Sequence, residues 1–172
     1  MARRIKGPAV FLAQFLRDEE PFCSLASIGK WFAGMGYKGV QIPAWDRRVI
    51  DLDQAAASRG YCDDYRGRLA DLRLEITELA GYLQGQVLAV HPAYALGFSA
   101  FHPPGLDGAA RTAWAVEELK KCIRASANLG LRNVPVLSGG FAWHLAYPWP
   151  QRPAGLIDEA FKELARRWLP LL

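Results

Sequence analysis

Short apolar runs alternate along the chain with longer stretches of helical spacing, and this alternation predicts the architecture. Residues Ala9 to Phe15 (AVFLAQF) form a bounded apolar run after Lys6-Gly7-Pro8 and read as a buried strand. Ser24 is a good N-cap, after which Leu25, Ile28, Trp31, Phe32 and Met35 recur at helical spacing until Gly34 and Gly36 stop the helix. A second short strand, Gly39 to Pro43, ends on a proline, which has no N–H to give a ladder. Asp51 caps a helix expected to run to about Leu72, with Gly60 and Gly67 weakening it. Leu74 to Leu79 (LEITEL) reads as a third strand, followed by the glycine- and aromatic-rich stretch Gly81 to Gly108. Helices over Ala109 to Leu129 and Leu156 to Leu169 flank a fourth strand, Asn133 to Leu137 (NVPVL).

Four βα units without a hairpin signal predict an α/β fold: a parallel sheet of four strands in sequential order, with helices on one face. The connections after the strands are long and those after the helices brief. Function in parallel α/β folds lies at the strand C-termini, the side on which this chain spends its irregular residues. Val10, Leu12, Val40, Ile42, Ile76, Val134 and Val136 are the candidates for the sheet face turned away from the helices.

Composition and charge narrow the classes. With 172 residues, half of them apolar and about a fifth charged, the chain has the content of one globular domain. The net charge of +4 comes from scattered Lys and Arg without an aromatic-interleaved stripe, so no nucleic-acid partner is expected. Cys23, Cys62 and Cys122 are odd in number and lack metal or redox spacing, which suits a reducing, cytoplasmic setting. No run approaches a membrane span and the N-terminus has no signal-peptide pattern, so no membrane partner is expected.

Candidate chemistry is sparse. No glycine-rich phosphate motif follows a strand. His91, His102 and His144 fall in loops without companions at metal-ligand spacing, so neither a metal site nor a catalytic residue is expected from this chain alone. Glu75 and Glu78, three apart on a strand, are expected to face opposite sides, leaving Glu78 as the carboxylate able to line a site. Trp143, Tyr147, Trp149, Gln151 and Arg152 combine flat rings with polar donors, a set that suits sugars or simply holds the loop down on itself.

Four segments carry a resemblance: Lys6 to Gln14 (KGPAVFLAQ), Gly36 to Asp46 (GYKGVQIPAWD), Glu75 to Pro92 (EITELAGYLQGQVLAVHP) and Tyr147 to Leu156 (YPWPQRPAGL). They resemble sugar phosphate isomerases/epimerases of the xylose isomerase-like TIM-barrel superfamily, which also holds endonuclease IV-type proteins. The resemblance implies a single partial barrel domain over residues 1–172, the (βα)4 N-terminal half of a barrel that typically needs about 250 residues. It implies a pocket for a sugar or sugar phosphate lined by Gln14, Trp45, Asp46, Gln84, His91, Ser138 and Trp143. In full-length relatives a divalent metal assists proton transfer beside the sugar carbonyl, and nothing in this sequence matches the segments that hold it. Tyr82 stands where the family pattern has a His. The chain alone is therefore expected to be inactive; the alternative is a non-catalytic half-barrel that self-associates or pairs with a complementary chain.

Overall fold

The computed structural model describes residues 7–142 and 154–172. The chain divides into two compact units, Met1–Gly81 with Lys121–Pro135, and Tyr82–Lys120 with Val136–Leu172.

The first unit holds a parallel sheet in the order β1-β2-β3, with β1 at Ala9–Phe11, β2 at Gly39–Pro43 and β3 at Glu75–Ala80. Helix α1 (Leu25–Gly34) crosses from β1 to β2, its first turn capped by Ser24, whose hydroxyl accepts from the Ser27 N–H at 3.2 Å. The expected helix from Asp51 is two helices, α2 (Leu52–Ala57) and α3 (Arg59–Asp71). Ser58 makes the break. Its backbone is extended, its N–H closes α2 on the Gln54 carbonyl, and its hydroxyl caps α3 by accepting from the Tyr61 N–H. Helix α3 ends in a Schellman turn, Leu74 N–H to Leu69 O and Arg73 N–H to Ala70 O, with Arg73 left-handed at φ 59° where glycine is usual.

The two faces of the sheet differ in chemistry. Val10, Val40 and Ile42 with Leu79 are buried in one cluster with Leu25, Ile28 and Phe32 of α1, Cys62, Tyr65 and Leu69 of α3, and Cys122, Ala125 and Leu129. Leu12 belongs to it, and Ile76 and Val134 pack against it. The expectation that these residues form the face turned away from the helices is thus wrong: they are the helix-facing core, about 1.5–3 kcal/mol of burial for each large side chain. Val136 packs in the second unit's cluster instead. The other face follows from the ladder, which pairs Phe11 with Gln41 and Gln41 with Glu78, and Ala9 with Gly39 and Gly39 with Glu75.

A bulge sets that second row. The register shifts between Val40 and Gln41, so Thr77 has no partner on β2 and the pleat phase changes across it. Glu75 and Glu78 therefore share a face, contrary to the expectation that three residues of strand would separate them. Gly39 makes room for the bulge, because a Cβ there would stand 2.8 Å from Thr77 Cγ2 and 3.1 Å from Ala9 Cβ.

The expected fourth strand does not form among the described residues. Asn133–Leu137 joins no ladder; the Pro135 carbonyl accepts from Gly81 N–H at 2.9 Å, but Pro135 has no N–H to return.

The second unit is built on α5 (Gly108–Asn128), of which its part is the N-terminal half, and on α6 (Leu156–Trp168). The stretch read as a loop holds a short helix α4 (Tyr82–Gln86) and a 3-10 segment, Pro92–Phe101. Its core is Val87, Leu88, Val90, Ala115 and Leu119, with Tyr94, Phe98, Phe101 and Trp168 packed on it. Gly139, at φ 68°, lies so close to this segment that a Cβ would stand 2.5 Å from the Ala89 carbonyl.

Candidate functional site

In the first unit, the polar face of the sheet and the turns after β1 and β2 bring chemistry together. Gln41 Nε2 donates to Glu78 Oε2 at 3.2 Å, and both side chains are half-buried. Phe11, in register with Gln41, meets the Trp45 ring edge-to-face at 6.2 Å. Trp45 stands two residues past the end of β2, so an aromatic wall adjoins an amide–carboxylate pair at the C-terminal end of the strands. Flat apolar rings beside one acceptor and one donor group match the C–H faces and hydroxyls of a sugar. Gln41 and Phe11 were not singled out in the sequence; the signal for them was the parity of GVQIP, in which Val40 and Ile42 are buried and Gln41 therefore faces the other way.

Of the other expected residues in this unit, Gln14 sits exposed in the turn closed by Phe15 N–H to Leu12 O. Asp46 follows Trp45, but its carboxylate is engaged: Oδ1 accepts from the Arg48 backbone N–H and Nε, and Oδ2 from Arg48 Nη2 at 2.6 Å. The hydrogen bonds from Arg48 hold Asp46 below the usual carboxylate range, against the opposing push of burial. Arg48 also reaches Asp18 at 2.9 Å, so the Asp46 turn is clasped to the segment after β1.

In the second unit, Gln84 of α4 is buried at 2% exposure, with its Oε1 lacking a hydrogen-bond partner. His91 caps the 3-10 segment, Nδ1 accepting from the Ala93 N–H at 3.2 Å, and its ring lies 6.0 Å from that of Tyr94. Ser138 is exposed; its hydroxyl donates to the Gly139 carbonyl, and its own carbonyl accepts from Trp168 Nε1. Trp143 and the cluster through Arg152, with His144, lie outside the described residues.

Among the described residues no three His, Cys, Asp or Glu side chains converge as a metal site. These residues therefore do not fit a divalent metal by themselves. An open groove of about 1010 Å³ in the first unit, lined by Arg66, Arg73, Arg132 and Asn133, is at the N-terminal end of β3. Parallel sheets seat their ligands at the opposite end, where Trp45 stands. No described helix is long and apolar enough to cross a membrane, and all three cysteines are free thiols.

No curated protein matches the chain. A family profile described as xylose isomerase-like TIM barrel matches residues 30–172, a span that takes in β2, β3 and every helix after α1. With the sequential parallel order β1-β2-β3 and its helix-covered face, that match establishes that the chain belongs to the xylose isomerase-like TIM barrel family.

Proposed function

We propose that this chain supplies the sugar-binding wall of an isomerase- or epimerase-type barrel acting on a sugar or sugar phosphate in the cytoplasm. The observation that carries the reading is the segregation of the sheet: an apolar face sealed under helices, and a second face bearing Phe11, Gln41 and Glu78 beside Trp45. In this reading Phe11 and Trp45 pack on the sugar's C–H faces, and the Gln41–Glu78 pair exchanges its mutual hydrogen bond for sugar hydroxyls. Gln14 and Asp46, on the turns after β1 and β2 of the same unit, are further contacts. The proton shift beside the carbonyl needs a base held within hydrogen-bond reach of the sugar carbon, and Glu78 is the carboxylate on this face nearest the aromatic wall in sequence register.

Calorimetric titration of the chain with ketoses and ketose phosphates tests this reading. Binding that weakens about tenfold in Trp45→Ala and in Gln41→Ala, about 1.4 kcal/mol each, supports it. If no sugar binds, or binding is indifferent to both substitutions, the wall is not a sugar site. Solvent-deuterium exchange at the carbon beside the carbonyl then separates a chain that moves the proton from one that only binds. Light scattering in the same buffers reports whether the chain acts as a self-associating half.

A further inference from the structure

The second unit buries a cation that no anion among the described residues hydrogen-bonds. Arg111 rises from the first turn of α5 and is only 5% exposed, yet its Nε has no hydrogen-bond partner. The carboxylate nearest in sequence, Asp107, is already used: its Oδ1 accepts from the Ala110 N–H and caps the helix. A second guanidinium is fixed against the same helical turn. Arg167 Nη1 donates to Thr112 Oγ1, the next residue after Arg111, and to the Leu88 carbonyl, each at 3.0 Å. Its Nε is held by Glu163, and its plane lies 4.6 Å over the Phe141 ring. Glu163 in turn is shared with Arg166, so among the described residues the one carboxylate bonded to this pair is divided between Arg167 and a third cation.

An arginine stays charged at any physiological pH, and a buried charge left without a counter-ion is strongly destabilising. Burial and the nearby charge of Arg167 both lower the proton affinity of Arg111, and Asp107 opposes them only from a distance. The unpartnered Nε–H of Arg111, with the fixed charge of Arg167 beside it, suits an anion with oxygen acceptors better than a halide.

We propose that Arg111 and Arg167 form an anion subsite that takes a phosphate group, either inorganic phosphate or the phosphate ester of a small metabolite. The subsite stands on the second unit alone and does not depend on the sugar wall described above.

Thermal unfolding and calorimetry of the full chain in sodium phosphate, against sodium chloride at equal ionic strength, test the proposal. Phosphate is expected to stabilise the chain saturably and chloride not to. Arg111→Met, which keeps the stem and removes the charge, is expected to abolish the phosphate response and, without phosphate, to unfold no earlier than the parent chain. Arg167→Lys is expected to weaken phosphate binding at least about tenfold, since a lysine cannot keep the bonds to Glu163, Thr112 and the Leu88 carbonyl that fix the charge beside Arg111. Should Arg111→Met fail to fold, the Nε–H resonance of Arg111 in the parent chain gives the readout, shifting with phosphate and not with chloride. A sugar phosphate that displaces inorganic phosphate with higher affinity, where the unphosphorylated sugar does not, identifies the ester as the source; equal affinities identify the free anion. Equal responses to phosphate and chloride, or an unchanged phosphate response in Arg111→Met, overturn the proposal.

Discussion

Gln41 and Glu78 face one another across β2 and β3, amide to carboxylate at 3.2 Å, on the face of the sheet opposite the one on which α1 and α3 pack. Both are half-buried, so the pair is open to exchange with a ligand. Glu78→Gln is expected to leave the fold intact, costing about 0.5–1.5 kcal/mol in urea unfolding, the ordinary net worth of one hydrogen bond. A loss above about 3 kcal/mol would mean that the pair is part of the core and not of a binding face.

Gly39 and Thr77 are predicted to be coupled. Gly39→Ala sets a methyl 2.8 Å from Thr77 Cγ2, and is expected to destabilise by about 1–3 kcal/mol, the usual cost of overpacking. Thr77→Ala removes the obstructing methyl, so the double variant should recover at least about 0.5 kcal/mol relative to additivity. Strict additivity in a double-mutant cycle would count against this contact as the reason for glycine.

Arg73 holds the left-handed position of the Schellman turn that ends α3, with φ 59°. Left-handed backbone costs a residue with a Cβ roughly 1–2 kcal/mol, and glycine nothing comparable. Arg73→Gly is therefore expected to raise stability by about 0.5–1 kcal/mol, read as a shift of the urea midpoint at unchanged slope. A lower midpoint would assign Arg73 a stabilising contact that outweighs its backbone strain.

The Asp46–Arg48 clasp predicts an acid-sensitive turn. The folded-state pKa of Asp46 lies below its ordinary value of 3.8, so the ionised carboxylate stabilises the fold above that value. The contribution is lost as the pH falls through the lower folded value. Asp46→Asn should be less stable than the parent chain near neutral pH, and the gap should close under acid conditions below the ordinary carboxylate range. A gap independent of pH would show that the charge of Asp46 is not what holds the turn.

Local signals made much of the first unit legible. Ser24 before LASIGKWF marked the start of α1, and Gly39 to Pro43 marked β2 to the residue. The break at Ser58 was written in a residue that caps well, but Leu52, Ala55 and Ala56 before it and Tyr61, Tyr65 and Leu69 after it continued the helical spacing and masked it. Pro135 carried the warning against a fourth ladder strand, and the apolar valines around it outweighed that warning. The site was harder to read. Which strand residues face the helices depends on the parity of each strand, and the parity of β3 depends on a bulge that only the pairing with β2 reveals. Gln14, Trp45 and Gln84 came from the family resemblance, and the apolar run Ala9 to Phe15 hid that Gln14 lies past the end of β1 at Phe11. The engagement of Asp46 with Arg48 and of His91 with its own helix start depends on side-chain geometry that spacing does not encode.

The bulge at Thr77 has a consequence for length rather than chemistry. Strand β3 carries one residue more than β2 requires between Ile76 and Glu78, and the sheet absorbs it without moving either neighbour to the wrong side. Deleting Thr77 would leave Glu75, Ile76, Glu78 and Leu79 opposite the same partners in an uninterrupted pleat. Deleting Ile76 or Glu78 would leave no side chain of matching character for Val40 or Gln41. A one-residue change in strand length is thus tolerated at a single point, and there it spares the row on which Gln41 and Glu78 meet.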